Sequence, residues 1–145
     1  MASPPHFLII EARFYEDIAG ELVRGASEAL AAEEIAWSRV AVPGALEIPA
    51  AIAYAADARR HCAFIALGCV IRGETSHYDI VAGESARALQ DLAVSRKLAI
   101  GNGILTVENR EQALARAQVK GKNKGGDAAR AAVAMWRLKK QFGLA

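Results

Sequence analysis

The sequence predicts a three-layer α/β/α domain built on a four-stranded parallel sheet. Three observations carry this. Short apolar runs alternate with segments of helical period, the pattern of a parallel sheet covered by helices. One run, Ala63 to Val70, is apolar almost throughout, as a strand buried on both faces must be. Breaks containing Gly or Pro separate the segments.

Phe7-Leu8-Ile9-Ile10 reads as the first strand, followed by a polar turn from Glu11 to Asp17. Ile18, Leu22, Ala26, Ala29 and Leu30 then recur at helical spacing and define an amphipathic helix. Trp37 to Val42 alternates apolar and polar residues, the mark of a second strand, and Pro43-Gly44 ends it. Glu47 to Ala58 is an alanine-rich helix, which accommodates Pro49 only in its first turn. After the strand Ala63–Val70, Val81, Ser85, Leu89 and Leu92 give the next helix a buried face. Lys97 to Asn102 is a weaker fourth strand, and Thr106 to Ala117 a short helix with Glu108 in its first turn. Gly121 to Gly126 is a break, with Asp127 as the expected N-cap of the last helix. That helix is expected to carry Ala128, Ala132, Met135 and Lys139 on one side and Val133 and Trp136 on the other. Right-handed crossovers narrow the strand order to the flavodoxin-like 2-1-3-4. With no internal repeat or linker, residues 1–145 read as one domain.

Composition narrows the function classes. Hydrophobic residues make up 53% of the chain, which excludes a disordered or collagenous protein. Net charge is +2, and Lys120, Lys122 and Lys124 are the only basic cluster. No basic stripe with interleaved aromatics accompanies it, so nucleic acid is not an expected partner. No apolar stretch reaches the roughly 18 residues that span a bilayer, and Met1 to Pro5 carry no secretory pattern. The expected setting is cytoplasmic. Cys62 and Cys69 have no metal or redox spacing. On one strand they would point to opposite faces, and they read as buried or half-buried thiols.

In a parallel sheet the ligand site lies at the carboxyl ends of the strands. The third strand ends in Gly68-Cys69-Val70-Ile71-Arg72-Gly73-Glu74-Thr75-Ser76-His77-Tyr78-Asp79, a polar turn opening a helix. The helix start offers free N–H groups to an anion, and Thr75 a hydroxyl. An imidazole at His77 exchanges protons near neutral pH. Arg72, Arg116 and Lys124 are candidate phosphate cations, although Arg116 and Lys124 also suit helix ends as charges complementing the dipole. Phe14, in a polar turn at the end of the first strand, either packs on a neighbouring helix or stacks on a planar heterocycle. Glu47 either complements a helix dipole or receives N–H groups from a polar ligand. Asn102, as the expected end of strand four, joins the same rim. No GxGxxG follows the first strand, and GxxxxGK[ST], HExxH and GxSxG are absent from the sequence.

Together these residues resemble the lumazine synthase family. The blocks that carry the resemblance are Arg13-Phe14, Val42-Pro43-Gly44-Ala45-Leu46-Glu47-Ile48-Pro49, Leu67 through Asp79, Gly103-Ile104-Leu105-Thr106-Val107-Glu108-Asn109, Glu111-Gln112-Ala113 and Asn123-Lys124-Gly125. The order and spacing of the blocks make it specific over nearly the whole chain. The resemblance implies condensation of 5-amino-6-(D-ribitylamino)uracil with 3,4-dihydroxy-2-butanone 4-phosphate, without metal or redox cofactor. It implies that Phe14 stacks on the pyrimidine and that Ala45, Leu46 and Glu47 meet the ribityl chain and ring edge. Cys69, Val70 and Ile71 would offer backbone groups to the ring. Glu74 and Thr75 would bind the phosphate by backbone N–H, with Arg116 as counter-charge. His77 matches the proton-transfer residue and Lys124 a nearby basic one. Tyr15 stands where many members have Asn, and Cys69 where Thr is frequent. Asn102 stands where many members close the pocket with an aromatic residue.

The resemblance further implies a homopentamer with sites at subunit interfaces, and riboflavin synthase as a partner. Some members assemble twelve pentamers into a shell; the short N-terminus here favours a pentamer. The sequence leaves open whether Asn102, Arg116 and Lys124 come from the neighbour of the subunit that supplies Phe14 and His77. Three rival readings differ in class. One is a non-catalytic paralogue that binds a flavin or lumazine, towards which Asn102 leans. A flavodoxin-like regulatory domain would need acidic strand ends, whereas Arg13 and Phe14 follow Glu11. A purely structural shell protein would not need His77 and the Arg72–Thr75 turn together.

Overall fold

Four strands alternate with five helices in the computed structural model, which describes residues 4–145. The reading of Met1 to Pro5 falls partly on residues 1–3, outside the described residues. The elements are β1 (His6–Ala12), α1 (Glu16–Ala32), β2 (Ala36–Val42), a 3-10 turn (Ala45–Glu47), α2 (Ile48–Ala58), β3 (Ala63–Ile71), α3 (His77–Ser95), β4 (Ile100–Val107), α4 (Arg110–Ala117) and α5 (Lys124–Gln141). All neighbouring strands are parallel, in the order β2-β1-β3-β4. The expected layers and strand order are both observed.

Strand alternation divides the core in two. Phe7, Ile9, Ala63, Ile65 and Leu67 face α1, α4 and α5, where Leu22, Ala26, Ala113 and Ala132 meet them. Leu8, Ile10, Phe64 and Ala66 face α2 and α3, against Ile48, Ile52, Val81 and Leu89. Pro49 lies in the first turn of α2, as its missing N–H requires. Val81, Ser85 and Leu89 are the buried face of α3, and Leu92 packs at its margin.

Several boundaries differ from the sequence reading, each for a physical reason. β1 runs on through Glu11 and Ala12 because the Glu11 carboxylate is paired inside the protein instead of turning to solvent. β4 begins and ends later than expected. Gly101, Gly103, Leu105 and Val107 are buried while Asn102 and Thr106 are exposed, so the Gly-Asn-Gly run is a strand and not a break. Thr106–Val107 therefore belongs to β4, and α4 starts only after Asn109, whose side chain caps the Gln112 N–H at 2.8 Å. Glu108 precedes that helix, and its own N–H is taken by the Gln112 side chain at 2.8 Å. The cap of α5 is Asn123 in the left-handed region (φ 47°), accepting from the Gly126 N–H; Asp127 sits in the first turn, paired with Arg130 and Lys124. The buried face of α5 is Ala128, Ala129, Ala132 and Val133, flanked by Trp136, and Met135 is exposed.

Cys62 and Cys69 pack against the same core layer, not opposite ones, because Cys62 precedes β3 and does not share its alternation. Both are free and half-buried.

Close approach fixes the position of α5. A Cβ on Gly101 would lie 1.9 Å from the Ala128 carbonyl oxygen, and one on Gly125 would lie 2.1 Å from that of Leu22. Only glycine allows the helix backbone so near β4 on one side and α1 on the other.

Candidate active site

The carboxyl ends of β1 and β3, the 3-10 turn after β2 and the start of α3 enclose a cleft of about 470 Å³. Each wall follows from local sequence. β1 ends at Ala12, and the turn into α1 projects Phe14, which is 74% exposed and meets only the edge of the Tyr15 ring at 4.9 Å. It does not pack on a neighbouring helix. Pro43-Gly44 stops β2 and leads into the 3-10 turn, which lines the cleft with Ala45, Leu46 and an exposed Glu47. The last residues of β3, Cys69, Val70 and Ile71, form the floor. Burial pushes the Cys69 thiol up to about 11, against a small opposing pull from Arg110.

Thr75 and His77 close the cleft at the start of α3. The Thr75 hydroxyl oxygen accepts the His77 N–H at 3.3 Å, and Ser76 offers no side-chain cap. The Asp79 N–H is taken by the Ser76 carbonyl at 3.0 Å, and the N–H groups that a helix start leaves unpaired are suited to an anion. His77 is exposed at the rim. Phe14, Ala45, Leu46, Glu47, Cys69, Val70, Ile71, Thr75 and His77 are thus brought together, along with Tyr78 and Val81, which sequence reading passed over.

Arg72 and Glu74 do not line the cleft. The Arg72 guanidinium donates to Glu108 at 2.8 Å, lies 3.5 Å from Asp79 and covers the Tyr78 ring at 4.2 Å. It braces the end of β3 against Glu108, in the segment between β4 and α4.

Asn102, Arg116 and Lys124 lie elsewhere. They line a second cleft of about 410 Å³ along the outer edge of β4, and no residue is common to the two clefts. The expectation that Asn102 ends its strand is corrected: it pairs with Ala66 near the middle of β3, and β4 ends at Val107 beside Ile71. Its side-chain oxygen accepts the Ile104 N–H at 2.9 Å. Arg116 donates to the Gln112 carbonyl at 3.1 Å, and Lys124 lies 3.5 Å from Asp127. Asp127 shares this second cleft, which its reading as a helix cap concealed.

Sequence reading also missed the one buried carboxylate among the described residues. Glu11 is 2% exposed. Burial raises its pKa, but hydrogen bonds from Arg39 and Arg13 outweigh that and hold it below the ordinary carboxylate range. Alternating burial at positions 9 and 11 was available as a signal, but Arg39, the main partner, lies 28 positions away. His6 and His61 stack edge-on at 5.2 Å at the amino-terminal end of the sheet, remote from the cleft as expected. No described helix is long and apolar enough to cross a membrane.

Comparison with known proteins agrees with this geometry. The model of the 6,7-dimethyl-8-ribityllumazine synthase family matches residues 4–140. The chain is 58% identical to the 6,7-dimethyl-8-ribityllumazine synthase of Bartonella tribocorum, over 99% of this chain and 95% of that one. It is 58% identical to the one from Agrobacterium fabrum, over 97% and 99%. Against 6,7-dimethyl-8-ribityllumazine synthase 1 of Rhizobium meliloti the identity is 59%, over 97% and 95%. With this similarity extending across both clefts, the chain belongs to the 6,7-dimethyl-8-ribityllumazine synthase family.

Proposed function

We propose that this protein condenses 5-amino-6-(D-ribitylamino)uracil with 3,4-dihydroxy-2-butanone 4-phosphate to give 6,7-dimethyl-8-ribityllumazine, inorganic phosphate and two waters, the penultimate step of riboflavin synthesis. The observation that carries the reading is the first cleft, where an unpacked aromatic ring and a carboxylate stand beside an imidazole at an open helix start. Phe14 stacks on the pyrimidine, Glu47 and its turn hold the ring edge and ribityl chain, and the backbone of Cys69–Ile71 completes the ring contact. Thr75 and the backbone of the turn that carries it present N–H groups to the phosphate.

The primary amine of the uracil attacks the ketone carbon, and loss of water leaves an imine. A proton leaves the carbon chain and the C–O bond to phosphate breaks. The resulting enol tautomerises to a ketone, the second nitrogen adds to it, and a last water departs. His77, on the rim beside the phosphate turn, carries protons in imine formation and phosphate loss. Alignment of the two reactants supplies much of the remaining acceleration, worth roughly 7–11 kcal/mol when it is good.

Arg116 and Lys124, the cations assigned to the phosphate, line the second cleft of the same chain. This separation supports a site completed by two copies, the second cleft of one facing the first cleft of the next. We therefore read the protein as a cytoplasmic homopentamer with five such sites. Riboflavin synthase, which uses the product, is the expected partner. Light scattering on the purified protein is expected to give five times the chain mass, and a monomer would remove the shared site.

Mixing purified protein with both substrates tests the reaction: lumazine absorbance and free phosphate are expected to rise in equal amounts. Ligand binding without turnover would instead mark a non-catalytic binder. Arg116→Ala is expected to raise KM for the phosphate ester about tenfold or more, as loss of a charge-assisted contact does. The KM for the uracil should stay within about twofold. Equal losses for both substrates would take Arg116 out of the phosphate site.

A further inference from the structure

Phe14 is held by surprisingly little of its own. Its ring is exposed, the N-cap of α1 is Tyr15, and that residue makes no side-chain cap. Tyr15 packs part-buried against the α1-side core, so the turn is anchored on one side of Phe14 by packing, while no side-chain cap fixes it.

The residues flanking that turn are tied down by a charge cluster. Glu11, next to last in β1, faces the α1 side of the sheet, opposite to Ala12, which packs towards α2 and α3, and Arg13 follows the strand and pairs with it. Arg13 donates one guanidinium nitrogen to Glu11 and another to the Glu16 carbonyl at 3.4 Å. It thus links the residue two before the turn to the first residue of the helix after it. Arg39, from the neighbouring strand β2, donates to both Glu11 oxygens at 2.8 and 3.0 Å. The two guanidinium forks fix the carboxylate in angle as well as distance.

A carboxylate buried to this degree is costly unless it is fully bonded, and an apolar residue would pack there without that cost. What an apolar residue lacks is directionality. Arg13 itself is absent from the lining of the cleft, so any influence on the ring site passes through the turn.

We propose that Arg13, held in place by Glu11 and Arg39, acts as a positioning residue for Phe14 in binding the heterocycle. This rests on the proposed function, in which Phe14 is the residue stacked on the pyrimidine.

The test compares wild type, Arg13→Met, Phe14→Ala and the double variant, reading KM for each substrate and the affinity for 6,7-dimethyl-8-ribityllumazine by fluorescence. Arg13→Met is expected to raise the uracil KM and the lumazine Kd about five- to tenfold, the scale of a lost or misaligned ring stack, and to leave the phosphate ester KM within about twofold. The double variant is expected to be no worse than Phe14→Ala alone, since both changes remove one interaction. Equal changes in the two KM values, or losses that multiply in the double variant, would overturn the positioning role. If Arg13→Met does not fold, Arg13→Lys decides: it keeps the charge and loses the fork, and the same split on the uracil side is expected. A wild type that binds lumazine without turnover would refute the proposed reaction and leave the positioning role to be judged on the lumazine affinities. A wild type that neither binds nor reacts would refute both.

Discussion

Replacing His77 with alanine is expected to lower kcat about a hundredfold, the lower end of what a general acid–base group contributes, without abolishing turnover. The variant should fold and assemble normally. His77 is exposed at the first position of α3, and its bond to Thr75 is made by the backbone N–H, which alanine retains. The rest of the cleft lining is untouched, so on the proposed reading both substrates remain aligned. Addition of an amine to a ketone needs no strong catalyst once the partners are held together, and the residual rate reflects that alignment. Turnover followed by lumazine absorbance, together with an unchanged thermal melt, checks the expectation. Complete loss of activity in a correctly assembled variant would mean that His77 has a role beyond proton transfer.

The largest expected effect on stability comes from Gly101→Ala. The added methyl would sit 1.9 Å from the Ala128 carbonyl oxygen and 2.8 Å from its carbon. Both are backbone atoms in α5, so no side-chain rotation relieves the overlap. The helix must move off β4, and overpacking of this kind costs about 3 kcal/mol or more. Urea unfolding monitored by circular dichroism should show a correspondingly lower midpoint. Because α5 also carries Lys124 and Asp127 into the second cleft, activity should fall along with stability. A midpoint within error of wild type would show that α5 tolerates a greater distance from the sheet than its packing implies.

How far the sequence could be read depended on the distance over which each feature is determined. The central strand β3 and the helix α1 were legible because burial on two faces, or on one stripe, writes itself directly into apolar pattern. The turn from β3 into α3 was legible because Arg72 to His77 is one continuous segment. β4 was ended too early because Gly101 and Gly103 carry no side chain to mark its buried face. They are there for the close passage of α5, which joins the sheet more than 20 residues later. Glu11 looked like the start of a turn because the guanidinium that permits its burial arrives from β2. The pairing of Arg72 was not legible because Glu108, which engages it, lies 36 positions on. The assignment of Arg116 and Lys124 to the site was a reading of type and position. That they line a different cleft from His77 is a property of the three-dimensional fold, invisible to any local pattern.

The apolar surroundings of Cys69 bear on what the enzyme must avoid. A thiolate on the floor of the cleft would compete with the amine for the ketone carbon. With its pKa pushed up to about 11 by burial, the Cys69 thiol stays protonated at neutral pH. Burial there acts as chemical insulation, leaving the incoming electrophile to its intended nitrogen.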